Sequence, residues 1–72
     1  MKGLRLRKFS PIDRTWPIFE VIDDNVVVLD ITKNDVGELE VGFHMEGVGR
    51  VVALADLLHV VEEARRLLEE QP

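Results

Sequence analysis

The chain has no cysteine and no tyrosine among its 72 residues. Without thiols it can build neither a disulfide framework nor a thiolate zinc site. No apolar run approaches the roughly 20 residues needed to span a bilayer. The basic start, MKGLRLRKF, lacks the continuous apolar stretch that would follow it in a signal peptide. The expectation from these absences is a cytoplasmic protein with no membrane role. Basic residues are also scarce beyond position 14, where only Lys33, Arg50, Arg65 and Arg66 remain. Lys2, Arg5, Arg7, Lys8 and Arg14 crowd the first fourteen positions against Asp13 alone, and the net charge of the whole is −5. An acidic body repels nucleic acid at long range. Five basic residues interrupted by Leu4 and Leu6, with no interleaved aromatic stripe, are a weak footprint for it. Nucleic acid is therefore not the expected partner.

Residues with catalytic or ligating chemistry are few. The two histidines, His44 and His59, fall on the polar faces of different elements, with neither HxH nor HxxxH spacing, so no metal site is expected. The stretch from Asp30 to Gly37 has the acidic look of a calcium loop. It places Asp35 where the sharp turn requires glycine and Val41 where the closing glutamate belongs. Gly47-Val48-Gly49 lacks the third glycine and the Lys-Ser/Thr of a phosphate-cradling loop. Ser10, Thr15 and Thr32 have no histidine nearby in sequence and no GxSxG setting. The paired acids Asp23/Asp24 and Glu62/Glu63 read as solvated charges. No catalytic residue, cofactor or metal is expected, and the chain reads as a non-enzyme.

What is present is a pattern. Residues 51–71 carry apolar side chains at Leu54, Leu57, Leu58, Val61, Ala64 and Leu68, steps of three and four that stack on one helical face, with Val60 and Leu67 on its flank. Asp56, His59, Glu62, Glu63, Arg66, Glu69 and Glu70 take the other side. The composition suits a helix of about five turns, braced by the i,i+4 pairs Glu62–Arg66 and Arg66–Glu70. No Ser, Thr or Asn stands at a good N-cap position, so the start lies between Arg50 and Asp56, nearer Leu54.

The preceding chain alternates with period two. Residues 4–9 read as a short edge strand whose arginines discourage strand addition, the alternative being a free basic arm. Pro11 marks a turn. Residues 16–22 and 26–32 form a hairpin around Asp23-Asp24-Asn25, because Asp and Asn tolerate the left-handed conformation. Residues 33–37 connect to the cleanest strand, 38–45, in which Leu39, Val41, Phe43 and Met45 alternate with Glu38, Glu40, Gly42 and His44. There is no repeat, low-complexity segment or linker. The fold expected is α+β: a single domain, an antiparallel meander of three or four strands, with one long C-terminal amphipathic helix packed on one face.

On that plan Phe19, Val21, Val27, Leu29, Ile31, Leu39, Val41 and Phe43 face the helix. Trp16, Ile18, Ile22, Val26 and Val28 fall on the far side as an apolar face, open for a dimer or partner unless the strand with Leu4 and Leu6 folds over it. A 72-residue chain without staples buries about 60% of its unfolded surface and is marginal alone, so a homodimer or an obligate partner is expected. Two functions follow. One is a small acidic protein-binding module of the inhibitor or immunity kind, an analogy resting on size and charge alone. It would neutralise a basic protein such as a toxin through Asp23, Asp24, Asp30, Glu38 and Glu40. The other is a homodimeric accessory or scaffold protein joined through Trp16, Ile18, Ile22, Val26 and Val28.

Overall fold

The computed structural model describes residues 3–70. The architecture is α+β: β1 (Arg5–Phe9), β2 (Ile18–Asp23), β3 (Val26–Lys33) and β4 (Leu39–Phe43) precede a 3-10 turn (Met45–Gly47) and one helix, α1 (Leu54–Glu69). The strands form a single antiparallel sheet in sequence order, β1-β2-β3-β4. The basic segment is thus an edge strand and not a free arm. Its Leu4 and Leu6 pack against the helix-side core, so β1 extends the sheet instead of folding over its far side.

Local chemistry sets the connections. Asp24 and Asn25, at φ 51° and 68°, take the two positive-φ positions of a two-residue hairpin turn. The β3–β4 link closes with Asn34 N–H bonding the Glu38 carbonyl at 2.9 Å. The Asn34 Oδ1 accepts from the Val36 and Glu38 amides, and Gly37 supplies φ 85°. The helix begins at Leu54 behind Ala53, with no side-chain cap, as the sequence lacking a good capping residue implies.

One irregularity redirects the core. β2 and β3 pair in register through Val21↔Leu29, then shift so that Ile22 faces Val27, leaving Val28 as an extra residue. Beyond this bulge the alternation expected from sequence is offset. Val28, expected on the far side, packs against the helix-side core, while Val27, expected to face the helix, pairs with Ile22. That core is Phe19, Val21, Leu29 and Ile31 against Val60, Ala64 and Leu68, with Leu57, Val61 and Leu67 partly buried around it.

The helix is rotated relative to the expected stripe. Val60, placed on the flank by sequence, is buried at its centre, whereas Leu54 and Leu58 are 68% and 59% exposed. Of the two expected ion pairs, Arg66–Glu70 forms and Glu62–Arg66 does not. Arg65 joins Glu62 and Glu69, and Arg66 joins Glu63 and Glu70, so Glu62 pairs at i,i+3 with Arg65 in place of Arg66. No helix among the described residues is long and apolar enough to cross a membrane.

Candidate functional site

The far side of the sheet is not the open apolar face that alternation suggests. Ile22 is fully buried outside the helix-side cluster, and Trp16, Ile18, Val26 and Val28 are all half-buried. The Lys33 ammonium lies 4.4 Å from the centre of the Trp16 ring. Thr32, buried beneath this end of the sheet, donates its hydroxyl to the Pro17 carbonyl at 2.9 Å. The remainder of that face is polar, with Arg7 bridged to Glu20 at 2.7 Å. His44 Nε2 is 2.9 Å from Asp30 Oδ2. Arg14, Ile18, Asp30, Thr32, Glu40 and Gly42 line an open hollow of about 490 Å³.

The five acids singled out by sequence do not form one patch. Asp23 and Asp24 sit at the β2–β3 turn, where Arg50 Nε holds the Asp23 carboxylate at 3.1 Å. Asp30, Glu38 and Glu40 lie along β3 and β4, and the Asn34 side-chain amide donates to Glu38 and Glu40 at 3.1 Å each. Asp23 adjoins Val26 and Glu40 adjoins Thr32, six residues apart on β3, so the groups are separated by roughly 20 Å at strand rise. The Asp30–His44 pair has no hydroxyl nucleophile free beside it, since the Thr32 proton is given to Pro17. Among the described residues no cluster of three or more His, Cys, Asp or Glu is placed to hold a metal ion.

The open apolar surface lies on β4. Phe43 stands opposite Leu29 and Val41 opposite Ile31, and directly opposed residues share a sheet face. Leu39, Val41 and Phe43 therefore point to the helix side, as expected. They are not covered: their exposures are 41%, 47% and 84%. The helix contacts β1 and β3. Its Asp56 carboxylate is 4.0 Å from where a Gly3 Cβ would stand, just ahead of β1. On a 3.6-residue helix, Leu54 and Leu58 project from the flank opposite Asp56, and so toward β4. One helix about 10 Å wide cannot roof four strands spaced about 4.8 Å apart. It lies against β1 and β3 and leaves the β4 row open.

β4 is also a free edge, and its polarity can be worked out residue by residue. His44 N–H bonds the Val28 carbonyl at 3.1 Å, and Asn34 N–H bonds the Glu38 carbonyl at 2.9 Å. Antiparallel ladders alternate, so even-numbered β4 positions bond inward to β3. Leu39, Val41 and Phe43 turn their N–H and C=O groups outward. The same three residues thus present both apolar side chains and unpaired backbone. The opposite edge differs. β1 carries Arg5, Arg7 and Lys8, charges that deter strand addition, whereas Glu40 is the one charged residue of β4. Alternation in the sequence marks the β4 row as apolar, but nothing local marks it as uncovered. Compared with family models, curated proteins and solved structures, the chain matches none.

Proposed function

We propose that this chain is a small, acidic, non-enzymatic protein-binding domain that offers the β4 edge and its apolar row to a protein partner. The observation that carries the reading is the coincidence, on Leu39, Val41 and Phe43, of outward backbone groups and exposed apolar side chains. Strand addition at such an edge takes affinity from main-chain hydrogen bonds and specificity from alternate side chains. The proposal includes a cytoplasmic setting, which a chain without cysteine suits.

Val41→Lys tests it. Val41 is half-exposed at the margin of the helix-side core, beside Ile31, so a lysine there can reach solvent while its charge opposes pairing at the edge. The domain should keep its circular dichroism and melting behaviour as a monomer while losing every protein that wild type retains, itself included. Retention equal to wild type would sink the reading.

The net charge of −5 favours a second reading, capture of a basic protein such as a toxin by Asp23, Asp24, Asp30, Glu38 and Glu40. It has less to rest on, because these carboxylates fall in two groups and Asp23, Asp30, Glu38 and Glu40 already have intramolecular partners. Under it, association would slow steeply with salt and survive Val41→Lys.

A further inference from the structure

We infer that the occupant of the β4 edge is a second copy of this chain, paired antiparallel with Val41 opposite Val41 on a two-fold axis. The inference rests on the protein-binding reading above and names its partner. Closed two-fold pairing demands a self-complementary surface, and the β4 sequence LEVGF is one in a single register.

With Val41 on the axis, Leu39 of each copy faces Phe43 of the other. All three outward-bonding residues then find partners, and the apolar row continues across the junction. The even positions decide the register. Glu40 falls opposite Gly42 of the other copy, and Glu38 falls opposite His44. A two-residue slip one way sets Glu40 against Glu40; the other way it runs Leu39 past the end of the strand onto Met45, which lies in the 3-10 turn. Like charges directly opposed are destabilising. The Val41-centred register is the one of the three that pairs the whole strand and opposes no carboxylates within it.

Gly42 matters here a second time. The Asp30 carboxylate lies over it, with Oδ1 2.7 Å from where a Cβ would stand, and so leans toward the incoming Glu40. The His44 ring hydrogen-bonds the other Asp30 oxygen at 2.9 Å, and Arg14, on the same hollow, is the cation near the two acids.

The product is an eight-stranded sheet with β1 of each copy at its outer edges, guarded by Arg5, Arg7 and Lys8. Both helices lie on one face, the face that carries the two sets of Leu39, Val41 and Phe43. The contact is limited to three half- to well-exposed side chains and one strand of backbone. That is small beside the ~800 Å² per partner of a standard interface, so a concentration-dependent dimer is expected.

The chain has no native thiol, so single cysteines read the register cleanly. Residues facing each other in a hydrogen-bonded pair have Cα atoms about 5.5 Å apart, within disulfide reach. Under mild oxidation the purified Val41→Cys protein should convert to covalent dimer. Leu39→Cys and Phe43→Cys alone should not, yet mixed together they should cross-link to each other. Sedimentation of unmodified protein from about 1 to 200 µM should show a monomer–dimer equilibrium, abolished by Val41→Lys. Overturning results are a monomer throughout that range, or a dimer whose cross-links form at Leu39→Cys alone or Phe43→Cys alone. A monomer that still captures another protein in a Val41-dependent manner would refute self-pairing and leave the protein-binding reading intact. A monomer with no such capture would refute both.

Discussion

Gly42 lies beneath the carboxylate of Asp30, so close that a Cβ at position 42 would stand 2.7 Å from Asp30 Oδ1. Glycine here makes room for a side chain from the neighbouring strand, and that side chain is held by His44 at 2.9 Å. Gly42→Ala must displace Asp30 and break its contact with His44, at a cost of about 1–2 kcal/mol. Asp30→Ala in the same chain removes the obstruction, so the double variant should melt higher than additivity of the two single changes allows. Gly47 offers the contrast. A Cβ there would meet the Val28 Cα and carbonyl oxygen, both at 2.8 Å, and backbone cannot swing aside. Gly47→Ala should cost at least as much, about 1–3 kcal/mol, with no rescue from any side-chain truncation. Urea melts of the wild type and these four variants at one concentration decide both points.

The helix has two apolar sides with different duties. Leu68 is fully buried in the core, while Leu58 is 59% exposed. Leu68→Ala should cost about 2–5 kcal/mol, a large share of the ~4–11 kcal/mol expected for a chain this size, and leave much of the protein unfolded at room temperature. Leu58→Ala should alter the melting of the monomer by less than about 0.5 kcal/mol. The comparison is made by thermal unfolding in the Val41→Lys background, which removes any contribution from pairing at β4.

How much of this was legible beforehand follows from which forces are local. Strand positions, both tight connections and the helix are written in period-two and period-3.6 alternation, and they lie where the pattern puts them except at two ends: β2 begins at Ile18 and not at Trp16, and Met45, expected in the last strand, opens the 3-10 turn. The basic edge at β1 is equally local. The Val28 bulge is not, because an extra residue in a strand made almost wholly of β-branched and leucine side chains leaves no mark on an apolar run. That one residue turned Val28 against the helix-side core and paired Val27 with Ile22, while Ile18, in the regular part of the ladder, keeps the face the pattern gives it. The other miss is lateral. Alternation tells which way Leu39, Val41 and Phe43 point. Whether anything covers them depends on where a single helix settles on a wide sheet, and that is decided by packing at Leu4, Leu6, Val60 and Leu68 far away in sequence.

The β2–β3 turn makes a demand that Asn25 meets imperfectly. At φ 68° it sits in the left-handed region, where asparagine is tolerated and glycine is unstrained. Its side chain accepts from Arg5 Nη2 at 3.3 Å, an exposed contact of small value. Asn25→Gly should therefore hold or raise stability by up to about 1 kcal/mol. Asn25→Val should lower it by about 1–2 kcal/mol, since a β-branched residue there is strained. At 4–8 °C per kcal/mol for a small domain, melting temperatures separate the two. Equal melting points would mean that the turn does not hold this conformation in solution.

Acid should loosen the helix before it disrupts the sheet. Hydrogen bonding from Arg65 holds the Glu62 carboxyl below its ordinary value of 4.5, and bonding from Arg66 does the same for Glu63, each against a smaller opposing effect of desolvation. A carboxylate whose pKa is depressed in the folded chain contributes stability that is complete above the unfolded value. That contribution is lost as pH falls through the depressed one. The window therefore opens near 4.5 and extends downward, and neutral pH lies outside it. Both glutamates are solvent-exposed, so salt should weaken the effect. Helical ellipticity, followed from pH 7 downward, should stay flat until that window and then decline. Glu62→Gln with Glu63→Gln should start lower and lose most of the decline, while Asp56→Asn, outside these ion pairs, should keep it. A decline of the same size in the doubly substituted protein would show that the acid response originates elsewhere, with the Asp23–Arg50 and Asp30–His44 pairs the next groups to replace.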